Sequence, residues 1–258
     1  MTETTKRQGK RALKNAAFFA AYVFLFALVW TIAYGAVENE YILPSLWEVF
    51  KAAGRLLKES FFYKSFLQSF LRVLYAFFLS LAMGAALAVL SKIFPIFGKV
   101  VSPVIKALRA LPTMAIMLVL LLWSTPNRAP VIVAFLALFP MLYTGMSAAI
   151  STVDKNLEEM CEIYRVPMQQ RVFSMYLPMA LPYVLREAAS GVSFALKLVV
   201  SAEVLASTYV SLGGMLQLSK IYMQTPEMFA LALLVIVVGL VLEGLGEGIA
   251  RCAERRLK

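Results

Sequence analysis

Long apolar runs alternate with short polar ones along this chain, and six of the runs are long enough to cross a bilayer, which takes about 20 mostly apolar residues per helix. They extend from Ala16 to Val37, Phe66 to Leu90, Val100 to Trp123, Val131 to Ile150, Tyr183 to Ala206 and Phe229 to Ile249. The pattern predicts an all-α membrane protein with six transmembrane helices. Between the first two runs, Leu46, Val49, Phe50, Ala53, Leu56 and Leu57 recur at helical spacing, with Glu48, Lys51, Arg55 and Lys58 between them. That spacing predicts an amphipathic helix within residues 42–64. Between the last two runs, Gly213-Gly214 and Thr225-Pro226 read as turns.

One interval, residues 151–182, is polar where its surroundings are not. Asn156 with Glu159 three residues on fits a helix N-cap, with Asp154 a rival cap. Glu158 and Glu159 fall in the first turn, where the helix dipole favours negative charge. Leu157, Met160, Ile163 and Tyr164 form a short apolar stripe, and Glu158 and Glu162 are spaced to pair with Arg165. Pro167 is placed to end this helix and begin a second one, and Pro178 and Pro182 to break the chain before the fifth span. The expectation is a pair of short amphipathic helices held outside the membrane.

Composition reinforces the membrane assignment: 61% of the 258 residues are hydrophobic and only 16% charged, against about a quarter charged in soluble domains. The net charge of +10 follows from basic residues flanking the spans, not from nucleic-acid binding. Lys6, Arg7, Lys10, Arg11 and Lys14 in the tail 1–15, Lys92, Lys99, Lys106 and Arg109 around the second link, and Arg251, Arg255, Arg256 and Lys258 in the tail 251–258 fall on one side of a six-span topology. Both termini are therefore expected in the cytoplasm, and by parity so is the polar interval. The first run is longer than the core of a signal peptide and reads as a retained helix. With no histidine, imidazole catalysis and histidine metal sites are excluded, and Cys161 and Cys252 are too few for a zinc site. No G-x-x-x-x-G-K-[ST] loop occurs, so ATP is not expected to bind this chain. Gly244 and Gly248 make a G-x-x-x-G step suited to close helix packing.

Aligned on Leu177-Pro178, the polar interval resembles the "EAA" loop of the membrane subunits of binding-protein-dependent ABC importers. The signature's acid falls on Glu159, its alanines on Met160 and Cys161, and its glycine on Arg165. "ILPSLWEVF", "SFLRVLYAF", "VIKALRALPTMAIMLVLLLW", "LFPMLYTGMSAAISTVDKNLEEM", "LPMALPYV" and "VVSAEVLAS" are similar, in order, to stretches of the nitrate/sulfonate/taurine-type permeases. The resemblance implies a type I ABC importer-like core over residues 65–250, whose coupling-helix loop (Glu158, Glu159, Met160, Cys161, Glu162, Arg165, Val166 and Pro167) sits on a cytoplasmic ATPase. It further implies two ATPase subunits that bind ATP and Mg, a second permease copy, an extracytoplasmic binding protein, and no cofactor or catalytic site in this chain. Met160, Cys161 and Arg165 depart from the signature, which implies an altered docking geometry and a dedicated ATPase partner.

Lys197, Ser201 and Glu203 are candidates for the translocation pathway, because charge inside a span normally faces a cavity, a partner or protein. Glu203 matches an acid of the family pattern, whereas Lys197 stands where relatives often have an aromatic residue. The alternative is structural: Lys197 snorkels, and Glu203 lies near the outer end at a subunit contact or pairs with Lys197. An ion-coupled secondary transporter would require paired repeats with broken helices, and a membrane-embedded enzyme a convergent set of acids and bases. The candidates for such a set inside the spans are Lys197, Glu203 and Glu243. Substrates of the family range from small anions to neutral heterocycles, and the sequence does not choose among them.

Overall fold

The computed structural model describes residues 18, 21, 22, 24–37 and 39–257. The basic N-terminal tail and part of the first predicted span lie outside the described residues; the remainder of that span is an apolar helix, α1 (Phe24–Val37). It is pinned at its middle by Trp30, whose indole N–H donates to the Pro44 carbonyl at 3.1 Å and whose ring meets Phe229 edge-on. The amphipathic helix α2 (Leu46–Leu56) starts at Ser45, whose hydroxyl accepts from the Glu48 N–H, and it buries Val49, Ala52 and Leu56.

Two long helices frame the bundle. The 34 residues of α3 (Ser60–Ile93) would extend about 50 Å, well beyond a bilayer core. Its buried face is a ladder of small side chains, Ser65, Ser69, Val73, Ala76, Ser80, Gly84 and Ala88, interrupted by Phe77. Small residues permit the close approach of α6 (Ala129–Ser151). A Cβ on Gly84 would lie 3.1 Å from the Tyr143 backbone nitrogen. The core is completed by α9 (Leu177–Ala206) and α11 (Thr225–Leu257), where Leu138, Leu142, Leu196, Val199 and Leu231 are buried together. Among the described residues, four helices are long and apolar enough to span a membrane.

The predicted third span is not continuous. It divides into α4 (Pro95–Ala110) and α5 (Thr113–Trp123), bent by 95° at Leu111-Pro112. Lys106 and Arg109 stand on one side of this point and an unbroken apolar run on the other, and a proline disfavours the helical region for the residue before it. Leu111 and Pro112 are accordingly both extended. α5 alone covers about 16 Å, half a bilayer.

Three other expectations are corrected. Pro178 and Pro182 do not break the chain, because both lie inside α9. A short helix α8 (Met168–Arg171) runs into a π-helical turn, Val172–Tyr176, and on into α9. The wider turn gives room for the Pro178 ring, which would otherwise press on the carbonyl one turn back. Gly213 and Gly214 are not a turn but the first residues of α10 (Leu212–Ile221), capped by Ser211. Gly244 and Gly248 face open space within this chain, and Gly246 is the glycine in close contact, against Ala189 of α9.

Candidate functional site

The polar interval forms a rigid knuckle. Helix α7 (Lys155–Ile163) is capped by Asp154, whose carboxylate accepts from the Asn156 N–H at 2.9 Å, so the rival cap is the one used. Its far end closes in a Schellman turn: Val166 N–H donates to the Cys161 carbonyl at 2.9 Å and Arg165 N–H to the Glu162 carbonyl at 3.0 Å. That motif needs a left-handed residue, and Arg165 supplies it at φ 52°. The backbone therefore makes the turn that glycine would make, at a cost of about 1–2 kcal/mol. Arg165→Gly is expected to raise stability by about 1 kcal/mol, read as a higher melting temperature of the purified protein. A fall would mean that the guanidinium, not the backbone, matters here.

The carboxylates of α7 do not pair with Arg165, whose left-handed turn carries it off the helix face. Glu158 instead meets Lys92, from the end of α3, at 2.7 Å. The same ammonium lies 5.2 Å from the centre of the Tyr176 ring, in the π turn that feeds α9. Burial pushes the Tyr176 phenol above its ordinary range, and Glu158 adds to the shift. Arg171 closes the knuckle from the other side, donating to the carbonyls of Val166 and Cys161 at 2.9 and 2.8 Å, with Glu162 at 4.0 Å. A cation on these carbonyls also complements the helix dipole. Cys161 is half-buried, its thiol 3.9 Å from the Met175 sulfur.

Anchored in this way, the knuckle divides its residues between two faces. Glu158, Cys161 and Val166 are half-buried, whereas Glu159, Met160, Glu162, Arg165 and Pro167 are exposed. The apolar stripe does not pack on the bundle: Ile163 and Tyr164 are 78% and 76% exposed, with Met160 beside them. The tip of this tethered polar loop is therefore apolar and uncovered within the chain.

The pathway candidates separate likewise. Lys197 and Ser201 are exposed on one stripe of α9 with Ser190, Phe194 and Leu205, at spacings of four, three, four and four. Phe194 borders a cavity of about 250 Å³ beside the α4–α5 bend, shared with Arg109, Thr113 and Met141. Ser201 borders a smaller one with Met114 and Met117. Glu203 is elsewhere, fully buried in the bundle. Its partner is Arg72 of α3 at 2.8 Å and not Lys197.

Around that pair lies a closed polar network. Ser69 donates to the Glu203 carboxylate at 2.7 Å, and Gly213 N–H at 3.2 Å. Arg72 reaches the Val210 carbonyl and Asn127, and Thr208 donates to the Pro126 carbonyl. The helices α3, α9 and α10 and the link before α6 are thus knotted at one end of the bundle. Gly213 has to be glycine, since a Cβ would overlap both the Glu203 Cβ and the Val200 carbonyl oxygen. Sequence reasoning passed over Arg72, although a lone arginine inside an apolar run is itself a signal that a buried partner exists.

Comparison with known proteins agrees with this architecture. Residues 77–258 match the family described as binding-protein-dependent transport system inner membrane component. The chain is 22% identical over 239 residues to the taurine transport system permease protein TauC of Escherichia coli (strain K12), covering 90% of this chain and 85% of the relative. It is 27% identical over 185 residues to the putative aliphatic sulfonates transport permease protein SsuC of Bacillus subtilis (strain 168), covering 69% and 65%. Its fold is similar to a chain of an amino acid ABC transporter crystallised with histidines (TM-score 0.62, 17% identity, 76% of this chain and 94% of the other). It is also similar to a chain of the inward-facing MetNI methionine ABC transporter (TM-score 0.59, 16% identity, 81% and 97%).

Proposed function

The chain belongs to the family of inner membrane components of binding-protein-dependent transport systems, as a multi-pass permease subunit of an ABC importer, and from that premise we propose how it is assembled and what it carries. Two copies of the chain face each other across the exposed stripe of α9, so that Lys197 and Ser201 line the pathway between them. Two ATPase subunits, which hold ATP and Mg, take the apolar tip of α7 into a cleft on the cytoplasmic side. A binding protein delivers the solute to the opposite face.

The tip carries this reading: Ile163 and Tyr164 are the exposed end of a loop that Lys92 and Arg171 lock to α3 and α9. A force on the tip reaches the spans without being absorbed by a flexible linker. The cytoplasmic placement of the knuckle and of both termini is supported by the run of Lys92, Lys99, Lys106 and Arg109 on the α3–α4 side of the same clamp. The solute we favour is a small sulfonate. Two relatives are named for taurine and for aliphatic sulfonates, and Lys197 offers an ammonium inside a span, where reduced dielectric strengthens its pull on an anion.

Ile163→Asp tests the docking. Because Ile163 is 78% exposed, the variant should insert and purify normally. A charge at the centre of a docking patch should nonetheless lower ATP hydrolysis by the reconstituted complex, and uptake with it, by on the order of tenfold. Wild-type coupled uptake would show that this tip is not the docking surface.

A further inference from the structure

A second cavity, of about 440 Å³, opens between α3, α4 and α6 on the side of the bundle that carries the knuckle. It lies apart from the α9 stripe, and its lining is unusual for a membrane helix bundle. Six hydroxyls converge on it, from Ser91, Ser102, Tyr143, Thr144, Ser147 and Ser151, together with Lys92. Some are already committed. Thr144 donates to the carbonyls of Pro140 and Met141, Ser151 to that of Ser147, and Ser91 and Tyr143 share one bond at 3.0 Å. The hydroxyls of Ser102 and Ser147 donate to no described protein group, and one of the Ser91–Tyr143 protons remains over. Lys92 has three N–H donors, of which Glu158 takes the near one.

The lining therefore has donors in excess. It also has no acid of its own. Between Glu59 and Asp154 the sequence contains neither Asp nor Glu, and this stretch supplies every residue that lines the cavity. Lys99 and Lys106 lie on α4, the helix that supplies Gly98 and Ser102 to the lining. A polar cavity rich in donors, with one ammonium in its wall and no carboxylate but the one that ammonium already holds, selects for a group with several acceptor oxygens and negative charge.

We propose that this cavity binds a small tetrahedral oxyanion group, a sulfonate, sulfate or phosphate, through Lys92, Ser102 and Ser147. The site takes no residue from α9, so on the reading above that the α9 stripe lines the pathway it is a separate site, and it does not depend on which solute is carried. Its position gives it a consequence. The ammonium that would hold the anion also holds Glu158, so the ligand and α7 share one cation, and occupancy loosens the link between α3 and the knuckle. An anion accumulating on the knuckle side would in this way weaken coupling.

The test is a titration of sodium methanesulfonate into the purified full-length chain in a neutral detergent, followed by calorimetry. Wild type should give saturable heat, and dimethyl sulfone, of similar shape but neutral, should give none. Ser102→Ala with Ser147→Ala removes two donors without adding bulk and should weaken binding about tenfold. Phosphatidylglycerol added to the micelles separates two sources of the same chemistry. Suppression of the methanesulfonate signal identifies a lipid phosphate as the occupant, and an unchanged signal identifies a free solute. The proposal is overturned if wild type gives no saturable binding, if dimethyl sulfone binds equally, or if the double variant binds as wild type does.

Discussion

Arg72→Met is expected to destabilise the protein by about 3–5 kcal/mol, because it leaves the Glu203 carboxylate buried with no cation. Glu203 is 0% exposed, and its remaining partners, Ser69 and Gly213, donate hydrogen bonds but carry no charge. The converse change, Glu203→Met, should cost less. Arg72 keeps the Val210 carbonyl and Asn127 and is 12% exposed, so its guanidinium retains acceptors and some solvent. Changing both to methionine removes both buried charges and should recover much of the loss. The three variants form a double-mutant cycle read by melting temperature in detergent, with Arg72→Met lower by on the order of 10 °C. Equal melting of Arg72→Met and wild type would mean that the pair does not hold this end of the bundle together.

Reversing Lys92 should have the largest effect on function. In Lys92→Glu a carboxylate faces Glu158 where an ion pair stood at 2.7 Å, and the contact with the Tyr176 ring is lost as well. Lost attraction and new repulsion at a pair about 30% exposed amount to about 2 kcal/mol, or about 30-fold in the population of knuckles seated on α3. ATP hydrolysis should persist while uptake falls, because the ATPases would still move the tip but the tip would no longer move α3. The exchange Lys92→Glu with Glu158→Lys restores the attraction and should restore most of the uptake. If the exchanged protein transports no better than Lys92→Glu, the link is not electrostatic and this account of coupling fails.

Much of this architecture is legible in the residue pattern, because a bilayer admits few solutions. Each apolar run of sufficient length had to become a helix, and α6, α9 and α11 formed where the pattern put them. The bend at Leu111-Pro112 was hidden because hydropathy measures composition and not backbone angle. The partnerships were the least visible part. Arg72 and Glu203 are 131 residues apart, and Lys92 and Glu158 are separated by three helices. Local spacing suggested Arg165 for Glu158, and a place in the same span suggested Lys197 for Glu203, since neighbourhood along the chain is all that a sequence displays directly. At Arg165 the departure from glycine suggested altered geometry, yet the backbone adopts the left-handed turn all the same. A penalty of about 1–2 kcal/mol is small enough for two hydrogen bonds and the Arg171 clamp to offset.

The distance along the chain between Arg72 and Glu203 also has a meaning in time. A ribosome adding about 5–20 residues per second delivers the glutamate roughly 7 to 26 seconds after the arginine, 131 residues later. Until Asp154 is made no acid is added to the chain after Glu59, and the carboxylate that Arg72 holds in the folded protein arrives only with α9. Arg72 lies in the first half of α3, and Ser69 one turn away offers a hydroxyl. From there the long side chain can reach back to headgroup phosphates while it waits. The pairing that knots this end of the bundle thus waits for α9 and α10, so the knot is tied only after α3 to α6 have been made and before α11.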